Sequence, residues 1–311
     1  MKRRLLRVLV AALALALLGA SLVLANSIAC PLPAPAPFAG PLPPASPPAS
    51  MAVHRLDTDI THRSAGFAYR GGSLTDRRDF TMTAVLVEHP RGDLLIDTGF
   101  GRDIDAHFAA MPLFFRLSTA YERGLSAAEQ LDAKGYDRRR LRAIVLTHAH
   151  WDHVSGIPEF PDTPIWVPAE EQRFIADGGY LTAVARGFTG ARYEQYAFDG
   201  GPYLGFPRSR DVHGDGSVVI VPAPGHTPGS VIVFLALPDG RRLALVGDLV
   251  WQREGITERE ERPWLQRTLG DHDPAGVREL LLRMAALAAR FPELVLVPAH
   301  DARGFAELPP L

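Results

Sequence analysis

The seven residues Thr147-His148-Ala149-His150-Trp151-Asp152-His153 constrain this chain more than any other feature. They directly follow a continuous apolar stretch, residues 141–146 (LRAIVL), which reads as a buried strand. Three imidazoles and a carboxylate are therefore delivered to the end of a strand within six positions. In an extended or turning segment, His148 and His150 can face the same way, and Asp152 and His153 follow in the next turn. Burying so many titratable groups without a partner would leave unpaired polar atoms at considerable cost. A bound borderline metal such as zinc, which takes nitrogen and oxygen ligands, removes that cost.

Three further residues occupy the same kind of position. His226 lies in the turn Pro224-Gly225-His226-Thr227-Pro228-Gly229, Asp248 follows the strand-like RLALVG, and His300 follows ELVLVPA. Taken singly they read as a turn histidine, a capping aspartate and a core histidine. All three nevertheless end apolar strands, where side chains can converge on one rim of a core.

Composition narrows the chemistry. Lys2, Arg3, Arg4 and Arg7 are the only charges in the first thirty residues, and without them 29 basic side chains face 35 acidic ones. That balance argues against a surface that tracks phosphates, and nucleic acid is excluded as the expected substrate. Cys30 is the only cysteine, so an internal disulfide and a zinc site built on several thiolates are both excluded. No GxSxG elbow is present for a serine nucleophile.

The N-terminus reads as three parts. Residues 1–30 begin with a short basic segment and continue through an apolar run, residues 8–25, which suits an export signal or an uncleaved membrane anchor. Ser27-Ile28-Ala29-Cys30 resembles the lipobox of bacterial lipoproteins, in which cleavage leaves a lipidated Cys; Ser27 stands where an aliphatic residue is usual. Residues 31–50 alternate Pro with Ala, Leu and Ser and read as an extended tether. The expected catalytic domain is residues 51–311, exported and working in the periplasm or elsewhere outside the cytoplasm.

Within that domain, strands are expected at residues 80–89, 93–98, 141–146 and 165–167. A helix is expected from Ser126, with Glu129 completing a capping box and Gly135 as the stop. From residue 217 the pattern turns to strands (SVVIVPAP, SVIVFLAL, RLALVGD). A long amphipathic helix over 274–290, capped by Asp273, and a last strand over 293–297 follow. Strands followed by helices in each half, without strict alternation, suggest a sheet-on-sheet core with helices outside.

The chain resembles the metallo-β-lactamase superfamily from about residue 53 to 301. The resemblance rests on Asp97-Thr98-Gly99 after an early strand, the HxHxDH block at His148–His153, the PGHTPG turn at His226, the Gly-Asp pair at Asp248 and the strand-end His300. It implies an α/β (α+β) fold, a four-layer αββα sandwich, with two divalent metal ions, zinc for preference, at one edge. By position, His148, His150 and His226 would hold the first metal; Asp152, His153 and His300 the second; and Asp248 would bridge them. It further implies hydrolysis of a small-molecule lactone or other ester-like carbonyl by a metal-bridging hydroxide, with Asp152 steering its proton. Asp97 reads either as an acceptor that orients a ligand imidazole or as a tie for the Thr98-Gly99 turn. Thr147 reads as a local backbone-bonding residue.

Motif spacing and the bridging Asp248 are most similar to the acyl-homoserine-lactonase branch. One departure concerns substrate: that branch usually places a Tyr three residues after the bridging Asp, and here the residue is Trp251, whose indole only donates. Trp151 and Trp251 could wall an acyl or aromatic group or simply pack in the core. The alternatives are a thioesterase like glyoxalase II and, from another class, a mononuclear-iron persulfide dioxygenase. The apolar cluster at residues 111–115 (MPLFF) is a candidate lid. Tyr180, Tyr193, Tyr196 and Tyr203 are candidates for a hydroxyl facing the substrate.

Overall fold

The computed structural model describes residues 2–311; Met1, the first residue of the expected export segment, lies outside the described residues. Two sheets form the centre of the catalytic domain. The first has seven strands: β1 (Ala52–Ser64), β2 (Arg77–Glu88), β3 (Asp93–Ile96), β4 (Glu122–Arg123), β5 (Leu141–Val145), β6 (Ile165–Val167) and β7 (Tyr193–Gln195), in the spatial order β4-β1-β2-β3-β5-β6-β7. The second holds β8 (Arg210–Asp211), β9 (Val218–Pro222), β10 (Val231–Ala236), β11 (Arg242–Gly247) and β12 (Leu294–Pro298), ordered β12-β11-β10-β9-β8.

Residue alternation assigns the layers. Leu94 and Ile96 of β3, Val145 of β5, Val218 and Ile220 of β9 and Val233 of β10 fill the space between the sheets. Their neighbours Leu95, Ile144, Val219 and Val221 point outward. Successive strand side chains face opposite ways, so both faces of each sheet must be covered. The helices Ala127–Ala133 and Ala169–Asp177 cover the first sheet, contributing Leu131 and Ile175. The 17-residue helix Pro274–Arg290 covers the second with Leu280, Leu281, Met284 and Leu287. The result is an αββα sandwich.

Local signals act where the sequence places them. Ser126 accepts from the Glu129 backbone while the Glu129 carboxylate accepts from the Ser126 backbone, and Asp273 accepts from the Ala275 backbone. The 13-residue β1 is absent from the expected strands. Its sequence, AVHRLDTDITHRS, carries alternating charges rather than an apolar run, and it is built by pairing with β2 along nearly its whole length.

The extended tether expected over residues 31–50 does not stand clear of the domain. Residues 31–50 form neither helix nor strand, yet they lie along the domain. Leu32, Phe38 and Leu42 pack on the outer core of the second sheet, Phe38 sits edge-on to Phe291 at 5.9 Å, and Ser46 N donates to Asp215 O at 2.7 Å. The apolar residues interspersed among the prolines gain more by covering the core than by remaining in water. Before them runs one long helix, Lys2–Ser27, long and apolar enough to cross a membrane by length and composition.

Candidate metal centre

The strands that carry the chemistry-bearing residues end at one edge of the sandwich. Asp97 follows β3, the His148–His153 block follows β5, His226 follows β9, Asp248 follows β11 and His300 follows β12. The two sheets are joined at this edge by Val231 N donating to Thr147 O at 2.9 Å. Gly247, just before Asp248, adopts φ +54°, and a Cβ there would lie 3.1 Å from Thr147 Cβ. Glycine at this position lets β11 approach the loop after β5.

All seven expected ligand residues meet. Ligand-type atoms of His148, His150 and His226 lie within 4.8 Å of one another, as do those of His148, His153 and Asp248, and those of Asp152, His153 and His300. Six of the seven are buried, and Asp152 is half-buried. The inner nitrogens His148 Nε2 and His153 Nε2, and the oxygen Asp248 Oδ1, are buried with no hydrogen-bond partner. Asp248 has a defined orientation. Its Oδ2 is 3.4 Å from His226 Nε2, while its Oδ1 is 3.4 Å from His153 Nε2 and 3.2 Å from His300 Nε2. Asp152 Oδ2 is 3.4 Å from His300 Nε2. Tetrahedral ligands about 2.0–2.2 Å from a zinc ion lie about 3.3 Å apart, so these separations match those between ligands of one ion. The orphaned inner atoms and the spacing both fit divalent cations.

The outer nitrogens are engaged, and this sets which atoms face inward. His153 Nδ1 donates to Asp97 Oδ2 at 2.9 Å, His226 Nδ1 to Asp271 Oδ1 at 2.8 Å, and His300 Nδ1 to Thr81 O at 2.9 Å. A donated Nδ1 proton leaves Nε2 with its lone pair pointing in. Asp97 thus orients the imidazole of His153, in keeping with the first of its two sequence readings. It also accepts from Thr147 N and Thr147 Oγ1, both at 2.7 Å. Asp97 sits at φ +55°, in the left-handed region that Asp tolerates better than most residues.

The electrostatics divide the site. Burial, reinforced by the neighbouring imidazoles, holds His148 and His150 well below the ordinary histidine range. Burial also opposes charge on His153, but Asp97 and Asp152 outweigh it and push that group well above its usual value. Burial would raise Asp248, yet His300 and His153 hold it well below the carboxylate range. The half of the site with excess carboxylate therefore attracts positive charge strongly.

Three supporting residues were missed in the sequence. The buried Glu171 accepts from Ala149 N at 2.6 Å, Thr227 Oγ1 at 2.6 Å and Gly229 N at 3.0 Å, joining the HxHxDH loop to the PGHTPG turn. Burial, the largest effect, pushes its carboxyl up to about 7 against those donors. Asp271 orients His226 and is itself bound by the buried Arg262, which also donates to Asp248 O. Burial would raise Asp271, but Arg262 and His226 keep it below the usual range. Glu171 reads in sequence as one more charge on a surface helix, and Asp271 and Arg262 fall in loop. Only their burial distinguishes them.

Beside the carboxylate-rich half opens an apolar cavity of about 380 Å³. Met111, Phe114 and Phe115 of the candidate lid line it together with Trp151, Trp251 and Tyr180. Trp151 also packs against Phe100 at 4.7 Å, so it serves core and cavity at once. Of the four tyrosines, Tyr180 alone lines the cavity. Tyr193 donates to Ala185 O, Tyr196 is buried between the sheets, and Tyr203 packs on Phe234 at the outer face. Trp251 stacks on Phe67 at 5.2 Å and donates from Nε1 to Asp248 Oδ2 at 2.8 Å. Its one donor is thereby turned toward the bridging-type carboxylate.

Residues 78–300 match the model of the metallo-β-lactamase superfamily. The chain belongs to that superfamily. A probable metallo-hydrolase of Mycobacterium tuberculosis is 33% identical over 229 residues, covering 70% of this chain and 73% of that protein. The N-acyl homoserine lactonase AttM of Agrobacterium fabrum is 25% identical over 201 residues, covering 59% of this chain and 70% of the lactonase. Among solved structures, an N-acyl homoserine lactone hydrolase with N-hexanoyl-L-homoserine at its catalytic metal centre superposes with a TM-score of 0.63. It is 16% identical and covers 84% of this chain and 96% of its own. AidC, a dizinc quorum-quenching lactonase, superposes with a TM-score of 0.55 at 17% identity, covering 81% and 88%. This superfamily member is a metal-dependent hydrolase with lactonase-like relatives.

Proposed function

We propose that this protein is a dinuclear metallohydrolase that opens a lactone or related ester carrying an apolar acyl group. The observation that carries the reading is the split orientation of Asp248, one oxygen toward His226 and the other toward His153 and His300. A carboxylate so oriented could serve two cations, one through each oxygen. His148, His150 and His226 would hold one, Asp152, His153 and His300 the other, and Asp248 both. Two zinc-like ions, when bound, supply hydroxide at neutral pH and an electrophilic contact for the carbonyl oxygen.

The chain's own residues supply the rest. The aromatic and aliphatic walls of the cavity bind the acyl group and exclude water from it. Asp152, which lines the cavity and stands beside His300, is placed to hold a proton on a carboxylate oxygen and return it to the leaving group. With the Trp251 indole committed to Asp248, the hydroxyl nearest in kind to the missing tyrosine is that of Tyr180 on the cavity wall. The reading also has the enzyme exported and held outside the cytoplasm by its apolar N-terminal helix or by lipid at Cys30, supported by the basic and apolar layout of residues 1–30.

The test is metal content of the full chain in detergent, with a screen of lactones, esters, thioesters and persulfides. Two zinc-like ions and metal-dependent lactone or ester turnover are expected. Preference for thioesters would move it to the glyoxalase II type, and a single iron with oxygen consumption to the dioxygenases. Either result would overturn the proposal.

A further inference from the structure

The mouth of the cavity is rimmed by apolar side chains left in water. Leu113, Phe114 and Leu117 project from the helix Leu113–Ser118, with Leu117 79% exposed. Trp264, Leu265 and Leu269 project from the helix Trp264–Gly270, with Trp264 61% exposed. The two helices flank one opening. Phe114, Leu265 and Leu269 line the cavity, the Phe114 and Tyr180 rings are 6.4 Å apart, and Tyr180 Oη donates to Leu269 O at 3.5 Å. Neither helix contains Asp or Glu, and each carries one arginine, Arg116 or Arg267. A contiguous apolar rim of this kind marks a docking surface rather than a chance exposed leucine.

The occupant is indicated by where the N-terminal helix ends. Trp264 N donates to Asn26 Oδ1, Gly71 N to Ser27 O at 2.8 Å, Arg70 Nε to Ile28 O at 3.0 Å, and Cys30 N to Glu260 Oε2 at 3.0 Å. Among the described residues, the one helix long and apolar enough to cross a bilayer thus leaves the domain at the first residue of a rim helix. If the helix were cleaved and Cys30 lipidated, the acyl chains would emerge at the same place.

We propose that the rim formed by Leu113–Ser118 and Trp264–Gly270 rests in the surface of the bilayer that holds the N-terminus, so that the cavity opens onto lipid and admits substrates dissolved in the membrane. Leucine, phenylalanine and tryptophan beside the exposed Arg116, with no acidic group on either helix, suit the headgroup boundary of a membrane; Arg267 is held by the buried Glu261 at 2.7 Å. The substrate class that follows is an ester or lactone with a chain long enough to partition into lipid. This last part rests on the hydrolase reading; the orientation rests on the N-terminal anchor alone.

The test uses the full chain reconstituted in phosphatidylcholine–phosphatidylglycerol vesicles. In a Cys30→Ser background, a single environment-sensitive fluorophore is attached at Leu117→Cys or, as a control at the turn after β10, at Asp239→Cys. The Leu117 label should be quenched by nitroxide-labelled acyl chains and shielded from aqueous iodide, and the Asp239 label should behave in the opposite way. Equal iodide access at both positions would overturn the orientation. In the second arm, Leu113→Ser, Leu117→Ser and Trp264→Ser together should slow hydrolysis of a vesicle-dissolved long-chain ester about tenfold while sparing a water-soluble short one. Equal slowing of both esters would overturn entry from the bilayer. If the parent chain hydrolyses neither ester, the ester and lactone reading is what fails, and the fluorophore result still decides the orientation.

Discussion

Replacing Asp97 with Asn isolates the task of that carboxylate without changing its size. Its two oxygens receive three donors: Oδ1 takes Thr147 N at 2.7 Å, and Oδ2 takes Thr147 Oγ1 at 2.7 Å and His153 Nδ1 at 2.9 Å. An amide offers one acceptor oxygen and one NH₂. With the oxygen kept toward Thr147 N, the NH₂ meets the His153 Nδ1 proton, donor against donor. The imidazole can escape by moving its proton to Nε2, but that removes the lone pair pointing at the centre. With the amide flipped, Thr147 N is left as a buried unpaired donor, costing about 1–3 kcal/mol. Asn tolerates positive φ as Asp does, so the backbone adds no strain. Asp97→Asn should therefore fold, with Tm lower by about 5 °C. Its second metal should bind about 10–100-fold more weakly, and the first, on His148, His150 and His226, nearly as in the parent. Titration against a chelating dye, with thermal melts by circular dichroism, reads both quantities. Parental affinity for both metals in a folded variant would refute the claim that Asp97 sets the His153 tautomer.

Three further outcomes are expected. The Glu171 carboxyl, pushed up to about 7 from 4.5, holds a proton in the native state across a window where the unfolded chain has lost it. Its contribution to stability falls as pH rises through that window and is level above it. Glu171→Gln should flatten the pH dependence of Tm between those values, and an unchanged slope would count against the assignment. Arg262→Met takes the only guanidinium from the buried Asp271 carboxylate and leaves it the His226 Nδ1 donor alone. It should cost about 3–5 kcal/mol in urea unfolding, and a loss below about 1 kcal/mol, the scale of an exposed pair, would show the ion pair to be solvated. Gly225→Ala places a Cβ 2.7 Å from Val277 N, a backbone atom that cannot yield cheaply. It should lower stability by about 1–3 kcal/mol and weaken metal binding at the adjacent His226, and an unchanged melt would mean that the turn repacks freely.

The sequence determined the metal-centre candidates because each one ends an apolar strand. The near-continuous burial of β3, β5, β9 and β11, and the loops just past them, follow from local apolar runs alone. The resemblance to the superfamily then groups His148, His150, Asp152, His153, His226, Asp248 and His300 as one ligand set before any contact is known. The tertiary structure alone decided what stands behind them. Glu171, Asp271 and Arg262 come from a helix and a loop far along the chain, and polar residues there look the same whether solvated or buried. Their meaning lies in the withdrawal of water, which no local period encodes. The same holds for the N-terminus. The proline-rich residues 31–50 read as an extended tether because their backbone cannot form a ladder, yet Leu32, Phe38 and Leu42 find an apolar surface made by residues more than 150 positions away. The cavity rim was legible only in part. The MPLFF cluster is plain in the sequence, but its apposition to Trp264 and to the end of the N-terminal helix depends on long-range packing that brings three distant segments to one opening.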